Sequence, residues 1–253
     1  MKINNDAELE KRAPSFLRPS IWDKKCIEKY SPEFEKNNLF YTKIKNQKKF
    51  IKLVDYGNKN TYKKLYNEAS KYCDVKNNAI DIGCRYGEFT RYLVRSFKKI
   101  YCFDYRKSDL FAMNIDVQNK NILHYARALG RDSYKVYASG KGNLNSGNTD
   151  PKWKKFWPVK VYTLDSFLLN DVSLIKVDVD GMDEDVLVGA KHTISKWQPV
   201  IIVEEIMEQN GLPNHNAVAL LKDLGYKIAY KHAGPNQMHI DYVMIPHNRN
   251  ITA

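Results

Sequence analysis

Cysteine is scarce in this chain and nowhere paired. Cys26, Cys73, Cys84 and Cys102 are spread out with no C-x-x-C spacing and no His-rich cluster beside them, so neither a zinc site nor a disulfide framework is indicated. Long apolar runs are missing too. No stretch approaches the ~18 residues of a membrane span, and the N-terminus, MKINNDAELEKRAP, lacks the apolar centre of a signal peptide. These absences lead to the expectation of a soluble, cytoplasmic protein without a metal. Acid is the minority charge, 29 Asp and Glu against 41 Lys and Arg, which makes polyanionic or strongly polar partners plausible and also serves plain solubility.

The 253 residues are 43% apolar, enough for one substantial α/β core. Residues 1–76 read as a Lys-rich, mainly helical N-terminal extension, polar and broken by Pro14, Pro19 and Pro32. Between Lys36 and Lys64 nine lysines face one acid, a local balance of 9 − 1 = +8 out of a net +12. Such a segment is a solvated face or a phosphate-binding surface. Tyr62, Leu65, Tyr66, Ala69 and Cys73 keep helical spacing, which predicts a helix just before the first strand of a domain over 77–248.

The segment Ala79 to Asp104, AIDIGCRYGEFTRYLVRSFKKIYCFD, reads as strand, glycine turn, helix, strand and acid. Glycine is needed where a ligand approaches the backbone, and a helix start favours an anion. Asp104 follows about 20 residues after the turn, where a carboxylate takes the hydroxyls of a ribose. The dinucleotide pattern G-x-G-x-x-G is absent. D-I-G-C-R-Y-G instead suits a ligand with an amino-acid end, Asp81 holding an ammonium and the helix start facing a carboxylate, a description that fits S-adenosylmethionine. Taken alone, the loop also fits an ordinary βαβ packing turn.

Further on, the pattern predicts strands at Ile122 to Tyr125, Tyr134 to Ala138 and Val159 to Tyr162. The last two form a hairpin whose long tip, 139–158, carries Trp153, Phe156 and Trp157 among Lys152, Lys154 and Lys155. That composition suits stacking on a ring beside anions. Leu174 to Val179 and Val200 to Val203 are buried strands ending in Asp178-Val179-Asp180-Gly181 and Glu204-Glu205, with a helix between them through Val186, Leu187, Ala190 and Ile194. Asp81, Asp104, Asp178 and Glu204 therefore fall at the carboxyl ends of parallel strands, where open α/β sheets bind ligands. Alternation turns one of Glu204 and Glu205 away. A helix, Ala217 to Leu224, and two antiparallel strands, Tyr226 to Tyr230 and His239 to Ile245, close the chain.

Two blocks, DIGCRYGEFT and TLDSFLLNDVSLIKVDVDGMDEDVLVGA, resemble the FkbM-type methyltransferases, as do Ala128-Leu129-Gly130 and the strand Pro199 to Glu204. Arg85 and Asp180 depart from that family's usual Asn and Glu. The resemblance covers roughly Ala79 to Ile245. It implies a Rossmann-like class I methyltransferase fold, a mostly parallel twisted sheet with helices on both faces and a C-terminal antiparallel hairpin. It also implies S-adenosyl-L-methionine as cofactor, S-adenosyl-L-homocysteine as product, and a hydroxyl of a carbohydrate, glycan or related small molecule as acceptor.

The cofactor residues it implies are Asp81, Gly83, Cys84, Arg85, Tyr86, Gly87, Phe89, Thr90, Asp104, Tyr105, Ala128, Leu129 and Asp178. Asp178, Glu204 and His239 are then the catalytic candidates, with Asp180, Trp153 and Trp157 toward a sugar or glycan, an anionic one included. Two alternatives stand beside this reading. One is a ribose 2′-O or cap methyltransferase that holds nucleic acid through Lys36 to Lys64; the other is a cofactor-binding module without turnover.

Overall fold

A computed structural model describes residues 19–20, 40–43, 50–53, 59–107, 111, 115, 119–138, 157–179, 181–207, 216–233 and 238–249. Within the N-terminal extension it holds an antiparallel pair, β1 (Phe40–Lys43) and β2 (Phe50–Leu53), followed by the 12-residue helix α1 (Lys59–Ser70). The extension was expected to be mainly helical; of its described part, one segment is helix and one is a strand pair.

The main sheet has seven strands. In chain order they are β3 (Asn78–Ile82), β4 (Lys99–Asp104), β5 (Ile122–Ala126), β9 (Val172–Val177), β10 (Val200–Ile206), β11 (Tyr226–Ala233) and β12 (His239–Pro246). Between β5 and β9 lie β6 (Ala128–Leu129), β7 (Lys135–Ala138) and β8 (Trp157–Tyr162), which form a separate three-stranded sheet. The expected hairpin of β7 and β8 forms, with Lys135 opposite Lys160 and Ala138 opposite Trp157; its tip, 139–156, lies outside the described residues.

Across the main sheet the order is β5-β4-β3-β9-β10-β12-β11, the first five strands parallel and β12 antiparallel to both its neighbours. This is the class I architecture, closed by the antiparallel hairpin expected at the C-terminus. Succession runs outward from β3 on one side and from β9 on the other, so the strand order reverses between these two neighbours. An open α/β sheet holds its ligand crevice there, beyond the carboxyl ends of the strands.

The period of two along each strand divides the core. Ile80, Ile82, Tyr101, Phe103, Ile175, Val177, Ile201 and Val203 face α3 (Asp183–Val188), α4 (Lys191–Trp197) and α5 (Ala217–Asp223). Ala79, Ile100, Leu174, Val200, Ile202, Val243 and Ile245 face α1 and the short helix α2 (Thr90–Leu93). Burying each large aliphatic side chain stabilises the fold by about 1.5–3 kcal/mol, which is why these strands are near-continuous apolar runs. The single helix expected through Val186 and Ile194 is two, interrupted at Gly189 and Ala190. Among the described residues no helix is long and apolar enough to cross a membrane.

Candidate active site

Polar groups gather on the α1 face at the carboxyl edge of the sheet. Asp81 on β3 is flanked in register by Cys102 on β4 and Lys176 on β9. Two residues further along β9 comes Asp178, and Glu204 on β10 lies opposite Asp241 on β12. Alternation keeps these groups on one side, as expected for Glu204. Glu205 turns to the other face, where it accepts the Val218 amide at the start of α5 at 2.9 Å.

The glycine turn follows β3 as the sequence predicts. Gly83 has φ +78, and a Cβ there would lie 1.8 Å from the Asp178 carbonyl oxygen. Its lack of a side chain therefore lets β3 and β9 close together at the switch point. Arg85 takes the left-handed conformation without being glycine, φ +46. Its guanidinium stacks over Tyr86 at 4.7 Å and stands 3.8 Å from Glu88. Cys84, Phe89 and Thr90 are buried, so their side chains serve the core beneath the turn.

Asp104 ends β4 with its carboxylate tied to that turn. Oδ2 accepts the Arg85 amide and Oδ1 the Arg106 amide, both at 3.0 Å. Burial pushes its pKa upward, against the pull of the two amides. A carboxylate offers about four acceptor positions, so two remain for a pair of hydroxyls. Tyr105 follows on the rim under the Arg106 guanidinium, 4.5 Å away. Ala128 and Leu129 are buried in β6, paired with Val161 and Tyr162 of β8.

Asp81 lies deeper than the sequence reading places it. It is fully buried, its Oδ2 accepts the Thr90 hydroxyl at 2.6 Å, and its Oδ1 stands 3.7 Å from the Lys176 ammonium. The sequence reading missed that lysine. Burial alone would lower its pKa, but Asp178, 3.0 Å away, and Asp81 outweigh that and hold it well above its ordinary value. Asp178 Oδ2 also accepts the hydroxyl of Tyr62 on α1, at 3.3 Å. A lysine inside the uninterrupted run Leu174 to Val177 was the available signal, since a buried ammonium demands a carboxylate partner.

Beside Asp178 stand three further acids. Glu204 Oε1 meets His239 Nδ1 at 3.0 Å, and His239 is half exposed. Burial and Asp178 raise the Glu204 pKa, while His239 opposes them. Asp241, also absent from the sequence reading, is pushed up to about 7 by burial and then by Asp178 and Glu204. Asp183 rises to about 7 for the same leading reason. It binds the loop before α3 by accepting the Val179 and Gly181 amides, both at 3.3 Å. Asp180 and Trp153 lie outside the described residues, as does the side chain of Trp157, and so does most of the lysine-rich stretch before α1.

Residues 105–228 match the methyltransferase FkbM domain. No curated protein matches the chain. Among solved structures the chain is similar to methyltransferase FkbM from Methylobacillus flagellatus KT, 16% identical at a TM-score of 0.49, over 67% of this chain and 44% of that one. It thus spans less than half the length of that relative. It is also similar to the N-methyltransferase NodS from Bradyrhizobium japonicum WM9 in complex with S-adenosyl-L-homocysteine. That pair is 12% identical at a TM-score of 0.48, over 78% of this chain and 91% of that one. An rRNA methylase from Streptococcus thermophilus is 10% identical at a TM-score of 0.44, over 77% and 98% of the two chains.

Proposed function

We propose that this chain, whose residues 105–228 match the methyltransferase FkbM domain, is an S-adenosylmethionine-dependent O-methyltransferase acting on a hydroxyl of a carbohydrate or related small molecule. The residues at the switch point fit the cofactor. Asp104 keeps acceptor positions for both ribose hydroxyls while its two amides hold it still. The turn Gly83 to Gly87 lies beside it for the amino-acid end, and Asp178 stands at the neighbouring strand end for the ammonium. Asp81 acts from below, through Lys176 and Thr90, rather than by touching the ligand. When bound, S-adenosylmethionine supplies a methyl group already activated on a sulfonium. The protein's task is then to orient an acceptor oxygen and take its proton.

The observation that carries the hydroxyl reading is the pair His239 and Glu204. With Nδ1–H donating to Glu204, the imidazole presents Nε2 as a base toward solvent, a device that a hydroxyl acceptor needs and an already nucleophilic amine does not. Asp178 is occupied by Lys176 and Tyr62 and serves as a fixed negative charge near the sulfonium, leaving proton removal to His239. The loop 139–158, with Trp153 and Trp157 among lysines, supplies the composition for a sugar ring.

The test is calorimetric titration of the protein with S-adenosyl-L-homocysteine, followed by methyl-labelled cofactor and a panel of glycans, small alcohols and RNA. Saturable binding and label on a sugar hydroxyl are expected. Label on RNA would overturn the acceptor class, and no binding at all would overturn the methyltransferase reading.

A further inference from the structure

Helix α1 precedes the residues that match the family, yet it reaches the middle of the site. We propose that Tyr62 is a positioning residue: its hydroxyl fixes the Asp178 carboxylate and its ring covers the Lys176 ammonium, so that α1 is a working part of the cofactor site. The inference rests on the function proposed above.

The geometry leaves Tyr62 little choice of partner. Its hydroxyl donates to Asp178 Oδ2 at 3.3 Å, its ring centroid lies 5.9 Å from Lys176 Nζ, and it packs edge-on with Phe89, two residues after the glycine turn, at 6.0 Å between centroids. The hydroxyl stays a donor, because Asp178 and burial hold its pKa well above the ordinary value. Two donors, Tyr62 and Lys176, thus fix one oxygen of Asp178, whose side chain remains 24% exposed. That leaves the other oxygen for a ligand in the crevice. Leu65 and Ala69 bury the rest of α1 against the sheet, with Tyr72 and Cys73 packed just beyond its end, so the first turn is carried on a packed helix rather than on a loose arm. Thr61, one residue earlier, bonds His232 on β11 at 3.0 Å. It anchors the same turn without touching any carboxylate of the site.

That pairing provides the test. Tyr62→Phe and Thr61→Val are compared with the wild type by S-adenosyl-L-homocysteine titration, with hydrogen exchange in residues 59–70 followed with and without it. Tyr62→Phe is expected to weaken binding about tenfold, the worth of one hydrogen bond to a charged group, and to lose ligand-dependent protection of α1, with Thr61→Val unchanged in affinity. Equal affinity of Tyr62→Phe and wild type would overturn the proposal, as would an equal loss in Thr61→Val.

A double-mutant cycle of Tyr62→Phe with Asp178→Asn, read from the unfolding midpoint of ligand-free protein, separates this inference from the functional reading. Non-additive midpoints are expected whatever the ligand proves to be, and additive ones would overturn the coupling. A wild type that fails to bind S-adenosyl-L-homocysteine removes the methyltransferase reading, and the proposed cofactor role of Tyr62 falls with it.

Discussion

The ammonium of Lys176 lies 3.0 Å from the carboxylate of Asp178, and that contact is the centre of a buried charge chain. Asp81 joins it from β3 at 3.7 Å, fully shielded from water. Removing the lysine leaves two carboxylates without their cation, one of them with no route to solvent. Lys176→Met is expected to destabilise the protein by about 3–5 kcal/mol, the usual cost of breaking a buried pair from one side. Urea unfolding measures it, and adding Asp81→Asn to that variant should recover part of the loss. Full stability in Lys176→Met would show that the chain is solvated and unimportant to the fold.

Asp104 carries a different kind of constraint, since the Arg85 and Arg106 amides hold it in place without neutralising it. Asp104→Ala removes two acceptor positions for a ribose and one anchor of the glycine turn. Its affinity for S-adenosyl-L-homocysteine should fall by at least about 100-fold, two charge-assisted hydrogen bonds at 1.5–3 kcal/mol each setting the scale. Calorimetry decides it. An unchanged isotherm would place the ribose elsewhere.

Much of this site was legible because strand, turn, strand and acid follow one another within Ala79 to Asp104, and each step has a local cause. The sheet was legible for the same reason, its central strands being apolar runs bounded by Gly, Pro or acid. What the chain order does not display is registration between strands distant in sequence. Lys176 lies beside Asp81 and Asp241 beside Glu204 only once the sheet is assembled. Tyr62 was read as a helix residue, and as such it is one. That its hydroxyl meets Asp178, 116 positions later, follows from the packing of α1 over the sheet, which no periodicity expresses.

The break between α3 and α4 has a similar tertiary cause and yields the sharpest steric prediction. A Cβ on Gly189 would sit 2.0 Å from the carbonyl oxygen of Gly130, a backbone atom with no rotamer to yield. Gly189→Ala should destabilise by about 3 kcal/mol, the upper range for overpacking. Gly225→Ala meets nothing within 4 Å and suffers only its positive φ of +83, an expected cost of about 1 kcal/mol. Chemical denaturation of the two variants side by side tests the contrast, and equal losses would remove the packing argument.

His239 and Glu204 are separable by function. His239→Gln should lower turnover by about 10²- to 10⁴-fold, the range for a lost general base, while leaving S-adenosyl-L-homocysteine affinity close to that of the wild type. Glu204→Gln keeps the contact without the charge, so a smaller loss in turnover is expected. Full activity in His239→Gln on an acceptor the wild type methylates would transfer the base to another group.

Asp241 gives the protein a pH dependence whose sign follows from its folded-state pKa of about 7, against 3.8 for the ordinary carboxyl. Burial comes first among the causes and the charges of Asp178 and Glu204 second. The folded state therefore holds a proton that the unfolded chain releases. Its stabilising contribution is fully present below 3.8 and is lost as the pH rises from there to about 7. Asp241→Asn is neutral throughout and escapes that loss. Its melting temperature should lie close to the wild type's near pH 4 and rise above it by pH 8, a widening gap that thermal unfolding across the range will show. A gap that stays constant with pH, or closes toward pH 8, would mean that Asp241 is ionised in the folded protein at neutral pH and that the carboxylates along β10 and β12 do not repel one another.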